Sequence, residues 1–230
     1  MPLSPFLDVE TPITFKDQPG IQSAVFYTYI PLCNLECFQC HNKLSFDGRS
    51  GFISYEKLDN KLNQLKLLGV ELIIISGGEP TLEKRLEEGL KFIKEKGFPV
   101  RIDTNGTVPG KIEELIRNKM VDGFALDVKI PIKNVYSDEE KERFKQILFS
   151  NKLENDEKMF WYVENLKKSV EKIKKFAKKK PLPLENYSQL TILRTVRYPL
   201  LTEKDIADIK AFAEATGIPH QLNSFYSVEA

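Results

Sequence analysis

Cysteine occurs three times in this chain, always within one stretch: Cys33-Asn34-Leu35-Glu36-Cys37-Phe38-Gln39-Cys40-His41-Asn42. The spacing is C-x3-C-x2-C, and it follows a short apolar run, Ser23 to Ile30, that reads as a strand. So short a loop cannot send its sulfurs to separate places, so the thiolates converge on one metal centre. Cysteine thiolates commonly hold iron–sulfur clusters, usually four to a [4Fe–4S] cube. With three available, one iron lacks a protein sulfur. An open position is what a metal site keeps for chemistry rather than for scaffolding. The competing reading is a structural zinc knuckle with His41 as fourth ligand. Cys40 and His41 would then be adjacent ligands, outside the usual spacing.

Further polar groups recur at the ends of apolar runs. Val70 to Ile75 ends in Ser76-Gly77-Gly78-Glu79-Pro80, where two glycines free the backbone to approach a ligand closely. Phe98 to Asp103 ends in Asp103-Thr104-Asn105-Gly106, which suits a turn or helix cap as well as a ligand contact. Asp127 and Lys129 lie two apart on a strand, so their side chains leave the same face. They read as a buried ion pair or as a rim lysine facing a carboxylate. Arg194 has the same two readings, and the fork of its guanidinium suits a carboxylate.

The C-x3-C-x2-C loop followed by Gly77-Gly78-Glu79 resembles the radical S-adenosylmethionine (SAM) superfamily over most of the chain, most closely the activating enzymes of anaerobic ribonucleotide reductase. That resemblance implies that Cys33, Cys37 and Cys40 ligate a [4Fe–4S] cluster whose open iron chelates SAM. It implies that Gly77, Gly78 and Glu79 contact the methionyl ammonium, and that Asp103, Thr104 and Asn105 contact SAM. Lys129 and Arg194 are the candidates for its carboxylate, and no catalytic residue is expected beyond the cluster and SAM. An electron then cleaves the sulfonium, and the resulting 5′-deoxyadenosyl radical takes a hydrogen atom from a glycine of a partner glycyl-radical enzyme. A flavodoxin- or ferredoxin-type donor would supply the electron. Activation of another such enzyme, for example pyruvate formate-lyase, or small-molecule chemistry of the 7-carboxy-7-deazaguanine synthase kind, are the alternatives. Gln39 departs from the pattern, since related enzymes carry an aromatic before the third cysteine.

Composition bounds the rest. In 230 residues, 41% are hydrophobic, enough for a sizeable core, and 29% are charged with a net +1. That balance gives no reason to expect nucleic acid or a membrane surface as partner. No signal peptide and no spanning apolar run are read from the chain. Clustered thiols suit a reducing interior, so the expected location is cytoplasmic.

The elements that must position these residues alternate regularly. Ser54 can N-cap a helix to about Leu68, with Leu58, Leu62, Leu65 and Leu68 on one face and Gly69 as its stop. Thr81 opens a second helix closed by Gly97, and a short one covers Ile112–Lys119. Gly123 to Val128 is strand four, Gln189 to Val196 strand five and His220 to Phe225 strand six. Thr202 caps the helix between the last two. The pattern predicts an α/β fold with a parallel sheet; the resemblance implies a partial (β/α)6 barrel in a single domain over 1–230. Residues 1–22 read as a polar lead-in with a Pro19-Gly20 turn. Residues 131–188 read as a helical elaboration: Asp138 to Phe149, then an amphipathic Glu157 to Phe176, lysine-rich through Lys180 and terminated by Pro181-Leu182-Pro183. Its apolar face is Phe160, Val163, Leu166, Val170, Ile173 and Ala177.

Overall fold

The computed structural model describes residues 2–45, 50–151, 153–179 and 190–227. In chain order come β1 (Leu3–Leu7), β2 (Ile13–Thr14), β3 (Ser23–Tyr27), α1 (His41–Ser45), β4 (Phe52–Ser54), α2 (Tyr55–Leu67) and β5 (Leu72–Ser76). A single 3₁₀ turn, Pro80–Leu82, precedes α3 (Leu86–Glu95), β6 (Val100–Thr104), α4 (Pro109–Arg117) and β7 (Gly123–Asp127). The rest are α5 (Asp138–Phe149), α6 (Asp156–Lys179), β8 (Ile192–Arg197), α7 (Glu203–Thr216) and β9 (His220–Ser224).

Six strands, β3, β5, β6, β7, β8 and β9, lie parallel and side by side in chain order. The sheet curls into a half-barrel, with β2 antiparallel on one edge and β9, which pairs only with β8 among the described residues, on the other. The expected parallel α/β architecture is therefore present. Its main core lies between the sheet and the helices, built from residues such as Phe26, Ile73, Ile102, Phe124, Leu126, Leu166 and Leu193. A second, smaller apolar cluster of Ile21, Val25, Leu72, Ile74 and Leu190 involves alternate residues of β3 and β5. Period-two alternation puts those residues on the opposite face of the sheet, inside the curl.

Several boundaries differ from the sequence expectation. The lead-in is not irregular throughout: β1 pairs antiparallel with β4, and β2 with β3. Proline-rich composition concealed these edge strands. Ser54 does cap α2 by accepting from the Lys57 amide, but Leu68 is the C-cap and 60% exposed, so the apolar face ends at Leu65. Thr81 does not open a long helix; Glu79 caps the short 3₁₀ turn, and α3 begins only at Leu86. Phe160 is 37% exposed, and the buried face of α6 runs instead through Met159, Tyr162, Val163, Leu166, Ser169, Val170 and Ile173. Lys180, Pro181-Leu182-Pro183 and Gln189 lie outside the described residues. The Thr202 cap forms as expected, in a capping box with Asp205.

The helical elaboration is the crossover from β7 to β8, and it braces the sheet. Burying Leu166, Val170 and Ile173 contributes about 1.5–3 kcal/mol each, against about 1 kcal/mol for a typical hydrogen bond. Packing therefore holds α6 in place, and its buried polar groups direct it.

Candidate functional site

Every residue singled out from the sequence for cluster or SAM contact borders one cleft of about 110 Å³ at the carboxyl ends of the parallel strands. Cys33, Cys37 and Cys40 come from the loop after β3. Gly77, Gly78 and Glu79 come from the turn after β5, and Asp103, Thr104 and Asn105 from the end of β6. Lys129 follows β7, and Arg194 lies on β8. The cleft shares Cys37, Cys40, Asn42, Asp127 and Lys129 with a wider groove of about 610 Å³ that reaches the edge strand β9.

The two glycines are required by backbone contact. Gly77 has φ +129°, and a Cβ there would stand 2.5–2.7 Å from Thr28 atoms. A Cβ on Gly78 would stand 2.5 Å from the Ile30 carbonyl oxygen and 2.7 Å from that of Tyr29. The chain entering the cysteine loop thus lies directly against the glycine turn. The Glu79 amide donates to Leu32 O at 2.8 Å, and Asn42 Nδ2 donates to Gly77 O at 2.6 Å, fastening loop and turn together.

Glu79 is 1% exposed and accepts four hydrogen bonds from the protein. Its Oε1 accepts from Thr81 N, Thr81 Oγ1 and Thr104 Oγ1, and its Oε2 from Asn105 N at 2.7 Å. Burial pushes its carboxyl upward, opposed by these donors. Glu79 is thus a clamp between the glycine turn and the end of β6. Asn105 in turn reaches the cysteine loop: its Nδ2 donates to Asn34 Oδ1 at 3.0 Å and lies 3.9 Å from Cys33 Sγ. Thr107 Oγ1 joins both asparagines.

Beneath the cleft an alternating chain of charges crosses three strands. Arg101 Nε bonds Asp103 Oδ1 at 3.0 Å, and Arg194 Nη1 bonds Asp103 Oδ2 at 2.8 Å. Arg194 Nε bonds Asp127 Oδ1 at 2.8 Å, and Lys129 Nζ bonds Asp127 Oδ2 at 3.0 Å. Burial works against the Asp127 carboxylate, yet Arg194 and Lys129 hold it at about 2. Burial likewise opposes the Lys129 ammonium, which Asp127 keeps well above the usual lysine range. Arg101 is fully buried and lies outside the lining of the cleft, where the cations Lys129 and Arg194 are each engaged by a carboxylate, Asp127 for both and Asp103 for Arg194 as well. Arg101 also holds the lead-in, donating to Asp17 O and Gln18 Oε1.

The cysteine loop is gripped from behind by the end of α5. Glu36 N donates to Leu148 O at 3.1 Å and Phe38 N to Ile147 O at 2.9 Å, while Ser150 Oγ donates to Glu36 O. Helix α6 holds the end of β7: Tyr162 Oη accepts from Lys129 N and donates to Asp127 O, both at 3.0 Å. Ser169 Oγ donates to Gly106 O at 2.7 Å. These supports were not read from the sequence, nor were Arg101, Asn34 and Thr107. Arg101 had a signal, since it precedes Asp103 by two on a strand and therefore shares its face.

All three cysteines are free thiols bordering the cleft. Burial pushes Cys37 up to about 12, despite Lys129, and raises Cys33 as well. A metal bound by these thiols would have to displace their protons, as metal binding to cysteine generally does. Among the described residues, no three His, Cys, Asp or Glu side chains converge on a point one metal ion could occupy. The three cysteines therefore border the cleft without converging on a single point, contrary to the sequence expectation, and neither they nor a Cys3His knuckle form a preassembled single-metal site; His41 is exposed on α1. Soft thiolates around a cleft fit a multi-iron cluster. No described helix is long and apolar enough to cross a membrane.

Known proteins with similar sequences or folds fit this site. A Methanocaldococcus jannaschii protein, provisionally named a glycyl-radical enzyme activating enzyme, is 46% identical over 115 residues, 49% of this chain and 45% of that protein. The 7-carboxy-7-deazaguanine synthase of Aquifex aeolicus is 38% identical over 78 residues, 33% of each chain. The chain thus matches less than half the length of either relative. The crystal structure of Streptococcus suis SuiB bound to S-adenosylmethionine superposes on 94% of this chain and 44% of its own, with TM-score 0.60 and 16% identity. A family model described as Radical SAM superfamily matches residues 27–155, which include the cysteine loop, the glycine turn and strands β4 to β7. The chain belongs to the radical SAM superfamily.

Proposed function

We propose that this protein is an activating enzyme that takes a hydrogen atom from a glycine of a partner glycyl-radical enzyme, working as one radical SAM domain. The observation behind the activase reading is the 46% identity to the Methanocaldococcus protein, whose match covers about half of this chain. Cys33, Cys37 and Cys40 would hold a [4Fe–4S] cluster, and SAM would occupy the adjoining cleft. When bound, the reduced cluster supplies one electron, which splits SAM into methionine and an adenosyl fragment able to take a hydrogen atom from the substrate. Lys129 and Arg194 supply positive charge for the SAM carboxylate. Among the described residues, Nη2 of Arg194 has no protein partner, which leaves it available as a donor. Glu79 and Asn105 act by holding the glycine turn and the cysteine loop in register. The partner is proposed to be anaerobic ribonucleotide reductase, and the electron donor a flavodoxin or ferredoxin.

Anaerobic electron paramagnetic resonance tests this reading. Reduced, cluster-loaded protein is mixed with SAM and a candidate glycyl-radical enzyme from the same genome. A doublet from a glycyl radical, absent with Cys37→Ala, is expected. A second reading, small-molecule chemistry, is favoured by the Aquifex deazaguanine synthase. Under that reading 5′-deoxyadenosine forms with the small substrate, and no glycyl-radical enzyme in the genome gives a doublet.

A further inference from the structure

The half-barrel is open on the side where the wide groove lies, and one wall of that groove is the edge strand β9. Leu193 N donates to Pro219 O, and Leu193 is paired with His220. Parallel pairing then turns the backbone groups of Gln221 and Asn223 towards β8. The N–H and C=O of Leu222 and Ser224 face outward, with no partner among the described residues. Period-two alternation separates the side chains in the same way. Gln221, paired with Arg194, faces the inside of the curl with Asn223, whereas Leu222 lies with Thr195 on the other face.

The groove matches an uncharged ligand. Its charged lining residues are Lys16, Asp17, Asp127 and Lys129, two of each sign, and Asp127 and Lys129 already neutralise one another. Gln39, Asn42, Gln221 and Asn223 add amide donors and acceptors, the chemistry that recognises a peptide backbone. Nothing in that balance suits a nucleoside triphosphate, which requires an excess of cations. Tyr226, one of the lining residues of the groove, is 77% exposed, an aromatic side chain of the kind enriched at protein interfaces.

We propose that the free edge of β9 is a strand-pairing site that seats an extended, uncharged segment of the substrate polypeptide in this groove. This deepens the activase reading and rests on it. Strand addition supplies affinity through main-chain hydrogen bonds and demands little of the side chains. Five residues of β9 offer roughly 17 Å of edge. The site leads from that edge to Cys37 and Cys40, which border both groove and cleft.

The test uses cluster-loaded protein with SAM, without oxygen. A pool of neutral, end-blocked nonapeptides with a central glycine is passed over the immobilised protein, and retained peptides are identified by mass spectrometry. The tightest is resynthesised with an N-methyl group at each position in turn. Pairing along β9 predicts that affinity falls about tenfold at alternate positions and is unchanged between them. Leu222→Pro, which removes one outward N–H, should weaken the same peptide by about tenfold, whereas Leu222→Ala should not. Leu222→Pro is first checked for normal iron content. If it fails to load, the N-methyl scan decides alone. Retained peptides without the alternating pattern overturn the proposal. So does a pool from which nothing is retained. If the glycyl doublet of the preceding experiment is nevertheless seen, only the strand pairing fails. If no doublet is seen either, the activase reading fails with it.

Discussion

Gly77 is held at φ +129° with Thr28 pressed against the place where a Cβ would stand. Such backbone is essentially glycine-only and costs another residue about 1–3 kcal/mol before any clash. Gly77→Ala is therefore expected to lower the urea midpoint and to leave the protein unable to retain iron after anaerobic reconstitution. Glu79 is expected to behave as a clamp. In Glu79→Gln the amide nitrogen would replace an acceptor, most directly the Oε2 that takes the Asn105 amide. A buried donor left unmade costs about 1–3 kcal/mol, and equilibrium unfolding measures it. At this scale the sequence was informative about place and less so about role. The cysteine spacing, the paired glycines and the polar strand ends located the cleft. That Glu79 spends its acceptors on Thr81, Thr104 and Asn105 depends on how closely two loops approach, and no local pattern encodes that distance.

The elements that serve the site most are the two helices of the β7–β8 crossover. Helix α5 supports the cysteine loop with two carbonyls and Ser150, and α6 brings Tyr162 to the end of β7. Tyr162→Phe keeps the packing of a side chain that is 0% exposed but removes both hydrogen bonds, leaving Lys129 N and Asp127 O unpaired. A loss of about 1–3 kcal/mol is expected by urea titration. If Lys129 contacts SAM, the SAM dissociation constant should also rise. Ser150→Ala removes one exposed bond, and about 0.5–1.5 kcal/mol is expected. The helices themselves were legible: Asp138–Phe149 and the amphipathic run to Phe176 match α5 and α6 closely. Their purpose was not, because the contacts join residues far apart in the chain, from 33 positions for Tyr162 and Lys129 to 114 for Ser150 and Glu36. Periodicity found Val163, Leu166, Val170 and Ile173 on the buried face of α6, but it included the half-exposed Phe160 and passed over Tyr162 and Ser169, polar residues that the core accepts only because each has a partner.

At the scale of the whole molecule, the curled parallel sheet gathers charges from three strands into one chain, from Arg101 to Lys129. Asp127 is held at about 2 by Arg194 and Lys129, acting against burial, whereas an unfolded aspartate titrates near 3.9. A depressed carboxylate contributes stability that is fully present above the unfolded value and lost as pH falls through the folded one. The stability difference between wild type and Asp127→Asn should therefore stay constant from pH 8 to about pH 5 and shrink as pH falls towards 2, by urea titration across that range. The parallel sheet was legible from the βα alternation. The curl and its open side were expected only from family resemblance, because periodicity is the same in a flat sheet and in a half-barrel. The pairing of β1 with β4 was missed, since β1 carries a proline and its partner lies across the cysteine loop.

The central claim is that three cysteines and the adjoining cleft form a site for reductive SAM cleavage. Its most direct test is 5′-deoxyadenosine formation by anaerobically reconstituted, reduced protein supplied with SAM. The account predicts that wild-type protein releases 5′-deoxyadenosine and methionine, and that Cys33→Ala, Cys37→Ala and Cys40→Ala each abolish the product. A protein that carries a full cluster, is reduced, and still leaves SAM intact would contradict it.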